Sequence, residues 1–391
     1  MLPTRIALSR SSTLGWIGLG AMGNPMATNL YTKAVAAAAA HAKAGRATEQ
    51  PSIVICEPSD DNARAFVEGV KAISGAEAAA RVKRVDNPAL LVKDAARVFT
   101  MLPSTPQVEA VYLGDQGLVA GLKGADASVS LAESVKAAPW LLGDTAGAAL
   151  PAGQANSHSL FVDHTTLDPT AARRIADSVH EQTSLDALMV DGPVSGGIGG
   201  AKAGTLTIMF GSASELATAL ASPLMQFMAR AGGVVPCGGS GAGVGVKVCN
   251  NLVLAINQIG LAEGLALGKA LEIDPVLLHN IFNTSSAQSW SSKVNSPLHE
   301  IEGSPGSRDF SGGFQTKLML KDVGLALTAA HAHNLPTPLT WAAGSVYDAV
   351  SKDGEGELGT KDFSVVYKWL NDLREKGVEA GVKDGAPGDK Q

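Results

Sequence analysis

A short apolar run, Leu14-Gly-Trp-Ile-Gly-Leu19, passes directly into Gly18-Leu-Gly20-Ala-Met-Gly23 and then into a helix-compatible stretch from Met22 to about Val35. Strand, glycine turn and helix in that order leave few folds open. In a phosphate cradle the first glycine makes the tight turn, the second lets the backbone approach a pyrophosphate, and the third packs the helix on the strand. The next apolar run, Ile53 to Cys56, ends in Glu57, where an acid can bind a ribose 2′-hydroxyl. Glu57 lies 34 residues after Gly23, beyond the usual spacing of about 20, and an alanine-rich stretch between them accounts for the excess. An acid at this place repels a 2′-phosphate, so the spacing and charge predict NAD rather than NADP.

The same rhythm continues. Apolar runs at Val98 to Leu102, Leu160 to Asp163, Met189 to Asp191 and Leu206 to Phe210 alternate with helical stretches such as Asp60 to Val70 and Thr170 to Gln182. This pattern predicts βαβ units and an α/β fold: an N-terminal Rossmann-type domain with a doubly wound parallel sheet over 14–236. Two Ala/Gly-rich segments, about 34–50 and 121–159, read as surface insertions. After the glycine-rich stretch Cys237 to Gly245 the pattern becomes helical, with Lys247 to about Leu271, Pro275 to Asn283, Gln315 to His333 and Pro338 to Lys352. An all-helical C-terminal domain over 237–375 is therefore expected, with reacting groups in the cleft between the two parts. Segment 376–391 reads as a disordered tail. Segment 1–13 precedes the first strand, lacks acids and carries Arg5, Ser9, Arg10, Ser11 and Ser12, the character of a mitochondrial targeting peptide.

Composition removes other classes. The net charge of −6 offers no broad basic surface for a nucleic-acid backbone. Cys56, Cys237 and Cys249 are too scattered for a disulfide framework or a metal knuckle and read as reduced core thiols. The longest apolar stretch, Val246 to Leu271, is broken by Lys247, Asn250, Asn251, Asn257, Gln258 and Glu263, so no membrane span is expected and the chain reads as soluble.

Three further stretches can carry chemistry. Asp191-Gly-Pro-Val-Ser195-Gly196-Gly197 follows a strand and offers a hydroxyl and successive backbone N–H groups to a carboxylate. Lys247 and Asn251, four apart near the start of a helix, share one face. A lysine among Val246, Val248, Cys249 and Leu252 would have its charged form disfavoured by burial, which prepares it for proton transfer. His164, beside Asp163 at a strand end, reads as a satisfied structural residue rather than a ligand contact.

In this order the pieces resemble the β-hydroxyacid dehydrogenases, over nearly everything from Gly15 to about Lys368 apart from the two insertions. The stretches are GWIGLGAMGNPMATNL from Gly15, FTMLPSTPQVEAVY from Phe99, FVDHTTLDP from Phe161, VDGPVSGGIGGAKAGTLTIMFG from Val190, GVGVKVCNNLVLAINQIGLAEGLALG from Gly243 and GGFQTKLMLKDVGLA from Gly312. The resemblance implies a pyrophosphate cradle of Gly18, Leu19, Gly20, Ala21, Met22 and Gly23, with Glu57 on the adenosine ribose. It places Leu102, Pro103, Gln107 and Thr166 on the nicotinamide half, and Lys321 reaching the cofactor from the helical domain. Ser195, Gly196, Gly197 and Asn251 would hold a substrate carboxylate. Asp322, Phe314 and Trp290 would complete the substrate pocket, and Lys247 matches the family's catalytic lysine. The implied reaction is NAD-dependent oxidation of a small 3-hydroxy acid. The Glu57 acid and the Lys247-Val-Cys-Asn-Asn251 and Trp290-Ser-Ser stretches favour the hydroxyisobutyrate branch, active in valine breakdown.

The departures from the pattern are the two insertions, Glu in place of the more usual Asp at 57, and His164 where a small hydroxyl residue is common. The alternative within the family is reduction of tartronate semialdehyde, glyoxylate or succinic semialdehyde. A 6-phosphogluconate dehydrogenase would carry His at the place of Asn250. A non-catalytic reader module on the same fold would replace Lys247 and carry basic segments, which this chain does not. The apolar surface of Leu252 to Leu271 exceeds what one interdomain contact needs and points to a homo-oligomer.

Overall fold

The computed structural model describes residues 9–145 and 149–377. Most of the expected targeting segment, 1–8, and of the expected tail, 378–391, lies outside the described residues. The chain divides into two compact units after Lys247, so the second begins at Val248, eleven residues beyond the expected start of the helical part. The division falls inside one helix, Ala242–Ala270, which begins five residues before the predicted Lys247.

The first unit is built on β1 (Thr13–Ile17), β2 (Ser52–Cys56), β3 (Val82–Val85), β4 (Arg97–Thr100), β5 (Ser159–Asp163) and β6 (Ala187–Asp191). These strands are parallel in the order β3-β2-β1-β4-β5-β6. Every residue of β1, β2, β4, β5 and β6 is buried, as expected for strands covered by helices on both faces. The winding direction reverses between β1 and β4, which makes the carboxyl ends of these two strands the switch point where such sheets bind ligands. The sheet is not parallel throughout. Beyond β6, β8 (Leu206–Gly211) runs antiparallel to β6 and to the short β7 (Val194–Ser195), and β9 (Ala229–Gly238) lies parallel to β8.

Both Ala/Gly-rich segments reach the core, although most of 36–50 lies at the surface as expected. The alanine run prolongs the first helix, Gly23–Lys43, and buries Ala34 and Ala38 one turn apart on its core face. The second segment forms the helix Leu131–Ala137, closed by a Ser130–Glu133 capping box, and the turn Pro139–Thr145. It sinks Leu131, Ala138, Trp140, Leu141 and Leu142 into the same core. The two segments are also tied to each other: Glu49 N donates to Ala137 O at 2.8 Å, and Trp140 Nε1 donates to Glu49 O at 2.9 Å.

The expectation of a loose segment up to residue 13 fails from Arg10 onward. The buried Arg10 guanidinium donates to Val92 O, Asp126 O, His158 O and Ser159 Oγ. Nearby, Arg97 is wholly buried and donates to Ser11 O, Leu131 O and Ser134 Oγ. Desolvation pushes its pKa down to about 9. The cysteines differ from one another too: Cys56 is buried, Cys237 half-buried and Cys249 exposed, so only the first is a core thiol.

The second unit is helical among its described residues, with Ala242–Ala270, Pro275–Thr284, Thr316–Ala332, Pro338–Lys352 and Val366–Glu375 as its main helices. The 29-residue helix Ala242–Ala270 is long and apolar enough to cross a membrane by length and composition. Its Ala255, Ala262 and Leu265 are instead core residues, and its buried Gln258 hydrogen-bonds with Asn295.

Candidate active site

The predicted cofactor residues of the first unit all follow the carboxyl ends of parallel strands. Gly18 has φ +90°, and a Cβ there would lie 2.3 Å from Met101 O; one on Gly23 would lie 1.9 Å from Gly18 O. Both positions therefore require glycine. Gly20 is different, because a Cβ on it would meet nothing within 4 Å, leaving its backbone open to an incoming phosphate. Trp16 Nε1 fixes the turn by donating to Gly18 O at 2.8 Å.

Glu57, at the end of β2, is 7% exposed, and its carboxylate is tied to the glycine turn. Oε2 accepts from Leu19 N at 2.6 Å and Oε1 from Ser59 N at 2.9 Å. Leu19 is itself buried, so its N–H is committed to Glu57 and its side chain to the core. Ala21 and Met22 complete the turn.

Past β4 and β5 a second set of bonds shapes the loops that carry Leu102, Pro103 and Thr166. Asp163 Oδ1 accepts from Thr100 Oγ1 and Thr165 Oγ1, both at 2.7 Å, and Leu102 N donates to Thr165 Oγ1 at 3.0 Å. Pro103 and Gln107 are exposed, Gln107 accepting from Ser104 Oγ, while Leu102 and Thr166 are half-buried. His164 is buried between these loops, its ring stacked on Trp16 and Phe99 at about 6 Å. Its Nδ1 lies 2.5 Å from Gly192 O, but its Nε2 has no hydrogen-bond partner, so only half of the ring is satisfied. Desolvation pushes its pKa down to about 4. Ser195, Gly196 and Gly197 form the partly exposed turn between β7 and the next short helix.

Lys247 lies near the start of Ala242–Ala270 and is 7% exposed. Asn251, on the same helical face one turn later, is almost wholly buried and donates from Nδ2 to Asp322 Oδ2 at 2.5 Å. Asp322 is likewise buried, with Lys321 Nζ 3.5 Å from its Oδ1. These three residues of the second unit are therefore one cluster. Phe314 is half-buried with its ring edge-on to Phe363, whereas Trp290 is exposed.

Two carboxylates were not singled out by sequence reasoning. Asp362, buried, accepts from Phe314 N, Asn295 Nδ2 and Ser364 N and so fixes the loop before Thr316–Ala332. Asp191, at the end of β6, accepts from Gly241 N and Val244 N. Burial pushes its pKa up to about 6. The available signal was an acid closing a buried run ahead of a glycine-rich helix start, whose first N–H groups need acceptors.

A glycine turn with an open second glycine, an acid beyond β2 and a buried lysine on a long helix fit the nicotinamide-dinucleotide dehydrogenases as a class. Comparisons with known proteins agree. A family model described as the NAD-binding domain of 6-phosphogluconate dehydrogenase matches residues 13–138 and 144–239. One described as NAD-binding of NADP-dependent 3-hydroxyisobutyrate dehydrogenase matches 241–370. A probable mitochondrial 3-hydroxyisobutyrate dehydrogenase of Dictyostelium discoideum is 35% identical, covering 94% of this chain and 93% of its own. An NAD-dependent L-serine dehydrogenase of Pseudomonas aeruginosa is 36% identical over 91% and 96%. The solved Mycobacterium tuberculosis 3-hydroxyisobutyrate dehydrogenase with L-serine is 29% identical, has a TM-score of 0.66 and covers 92% of this chain and 99% of its own. The chain belongs to the 3-hydroxyisobutyrate dehydrogenase family of β-hydroxyacid dehydrogenases, and its cofactor is NAD.

Proposed function

We propose that this protein oxidises 3-hydroxyisobutyrate with NAD to methylmalonate semialdehyde, with Lys247 as the group that takes the hydroxyl proton. The observation that carries this reading is the placement of Lys247: nearly buried and one helical turn from Asn251, which is itself locked to Asp322. Bound NAD supplies the hydride acceptor. The protein's part is to orient the substrate, shield it from water and move the proton. Ser195 with the N–H groups of Gly196 and Gly197 holds the substrate carboxylate, assisted by Asn251, which Asp322 orients, with Phe314 and Trp290 as apolar walls. Lys247 accepts the proton as the carbon–hydrogen bond breaks, and in reverse it protonates the forming alkoxide.

Gly18, Leu19, Gly20, Ala21, Met22 and Gly23 surround the pyrophosphate, Glu57 receives the adenosine ribose, and Leu102, Pro103, Gln107, Thr166 and Lys321 hold the nicotinamide half. The carboxylate of Glu57 supports NAD over NADP by repelling a 2′-phosphate. A mitochondrial place in valine breakdown and a homo-oligomeric state belong to the same proposal, the former supported by the mitochondrial relatives.

The relative named for L-serine gives a second reading, in which L-serine, also a 3-hydroxy acid, is the preferred substrate. Initial rates with 3-hydroxyisobutyrate, L-serine, glycerate, 4-hydroxybutyrate and 6-phosphogluconate, each with NAD and NADP, separate the readings. The highest kcat/KM with 3-hydroxyisobutyrate and NAD is the expected result. Preference for L-serine establishes the second reading. Preference for NADP removes the role given to Glu57, and a highest kcat/KM with any of the other three acids contradicts both readings.

A further inference from the structure

We propose that Asp191 is a positioning residue for the reaction: its carboxylate clamps the first turn of helix Ala242–Ala270 to the end of β6 and thereby sets where Lys247 stands. The inference rests on Lys247 acting as the proton acceptor. Its basis is a pair of bonds that a helix start does not ordinarily receive from another element. Asp191 Oδ1 accepts from Gly241 N at 2.6 Å, and Oδ2 accepts from Val244 N at 2.9 Å. Both oxygens are thus used on donors that the helix cannot satisfy internally. The carboxylate is 5% exposed, so water offers those donors little substitute. Its negative charge also lies where the dipole of a 29-residue helix favours it.

The backbone around the clamp is shaped to allow it. A Cβ on Gly243 would lie 2.5 Å from Met209 O and 2.9 Å from Asp191 O, so only glycine lets the first turn press this closely on β8 and β6. Lys247 follows Val244 by three residues, about 4.5 Å along the axis at 1.5 Å per residue. A shift or fraying of the clamped turn is therefore carried almost undiminished to the lysine. Proton transfer demands placement of the base within hydrogen-bond reach, and an error of about 1 Å can cost on the order of a hundredfold in rate.

The test uses the full-length protein with Asp191→Asn, which keeps the shape but sets an amide group against one of the two N–H donors, and Asp191→Ser as a smaller second variant. Hydrogen exchange is read over 238–248 and over the glycine turn 13–23, together with kcat and the KM for NAD. The expected result is faster exchange in 238–248 alone, a kcat lower by at least about tenfold and a KM for NAD within about twofold of the parent. Unchanged exchange, or loosened exchange with unchanged kcat, overturns the proposal. So does a fall in kcat accompanied by faster exchange throughout and a raised KM for NAD, since that marks a residue supporting the fold generally. A parent protein without NAD-linked turnover on any hydroxy acid overturns the proposed function itself and this inference with it.

Discussion

His164 is fully buried, and the protein holds it neutral by desolvation, with a folded pKa of about 4 against 6.5 for the free side chain. Its folded value is depressed, so as pH falls the unfolded chain takes up a proton near 6.5 that the native ring refuses until about 4. Stability is lost through that window and levels off below it. The loss is roughly 3 kcal/mol, at about 1.4 kcal/mol for each pH unit. Urea unfolding of His164→Asn should show a pH dependence shallower than the parent's by about that amount. Equal pH dependence of the two proteins would show that the ring is not held neutral. The sequence placed His164 at a strand end beside Asp163 but not in its stack with Trp16 and Phe99, because those partners come from strands 60 residues and more away in the chain. The places of Lys247 near a helix start and of Glu57 at a strand end were legible because the runs that position them are local. Asp191 was not, because its partners lie 50 and 53 residues further along.

At the level of elements, strands that are buried on both faces were readable as apolar runs, and the edges were not. In β3, Lys83 and Arg84 are exposed at the rim of the sheet, so the strand has neither an apolar run nor clean alternation. β9 begins Ala229-Arg-Ala-Gly-Gly, which reads as a turn. The core contribution of the Ala/Gly-rich segments was missed for a related reason: alanine buries well but gives little amphipathic signal, and the apolar cluster Trp140-Leu-Leu142 is only three residues long. Trp140→Ala should cost about 3–5 kcal/mol in unfolding free energy while leaving NAD affinity unchanged; a cost under about 1 kcal/mol would restore the reading as a surface insertion. At the other end of the unit, Arg10→Ala leaves buried carbonyl groups without their donor and should cost on the order of 3 kcal/mol. A stability equal to the parent's would mean that residues up to Arg10 are dispensable, as the targeting-peptide reading expected.

For the whole molecule, the division into a sheet unit and a helical unit was legible because the apolar period changes once, close to the observed boundary. The helical unit carries large exposed apolar side chains, among them Leu267, Leu277, Leu339 and Trp341, the last 68% exposed. A surface of this kind is expected to be covered by another copy of the chain. Light scattering should give a mass that is a multiple of 39.9 kDa, and Trp341→Glu should lower it; a parent mass equal to one chain would contradict the oligomer. The proposed function requires Lys247 to do proton chemistry on a molecule whose other parts bind NAD independently. The most direct measurement is therefore Lys247→Ala, with kcat for 3-hydroxyisobutyrate and NAD binding by fluorescence titration read on the same preparation. The expected result is a kcat lower by roughly a hundredfold to ten-thousandfold with NAD affinity held within about twofold. Turnover that survives the substitution, or NAD binding lost along with it, would contradict the assignment of Lys247.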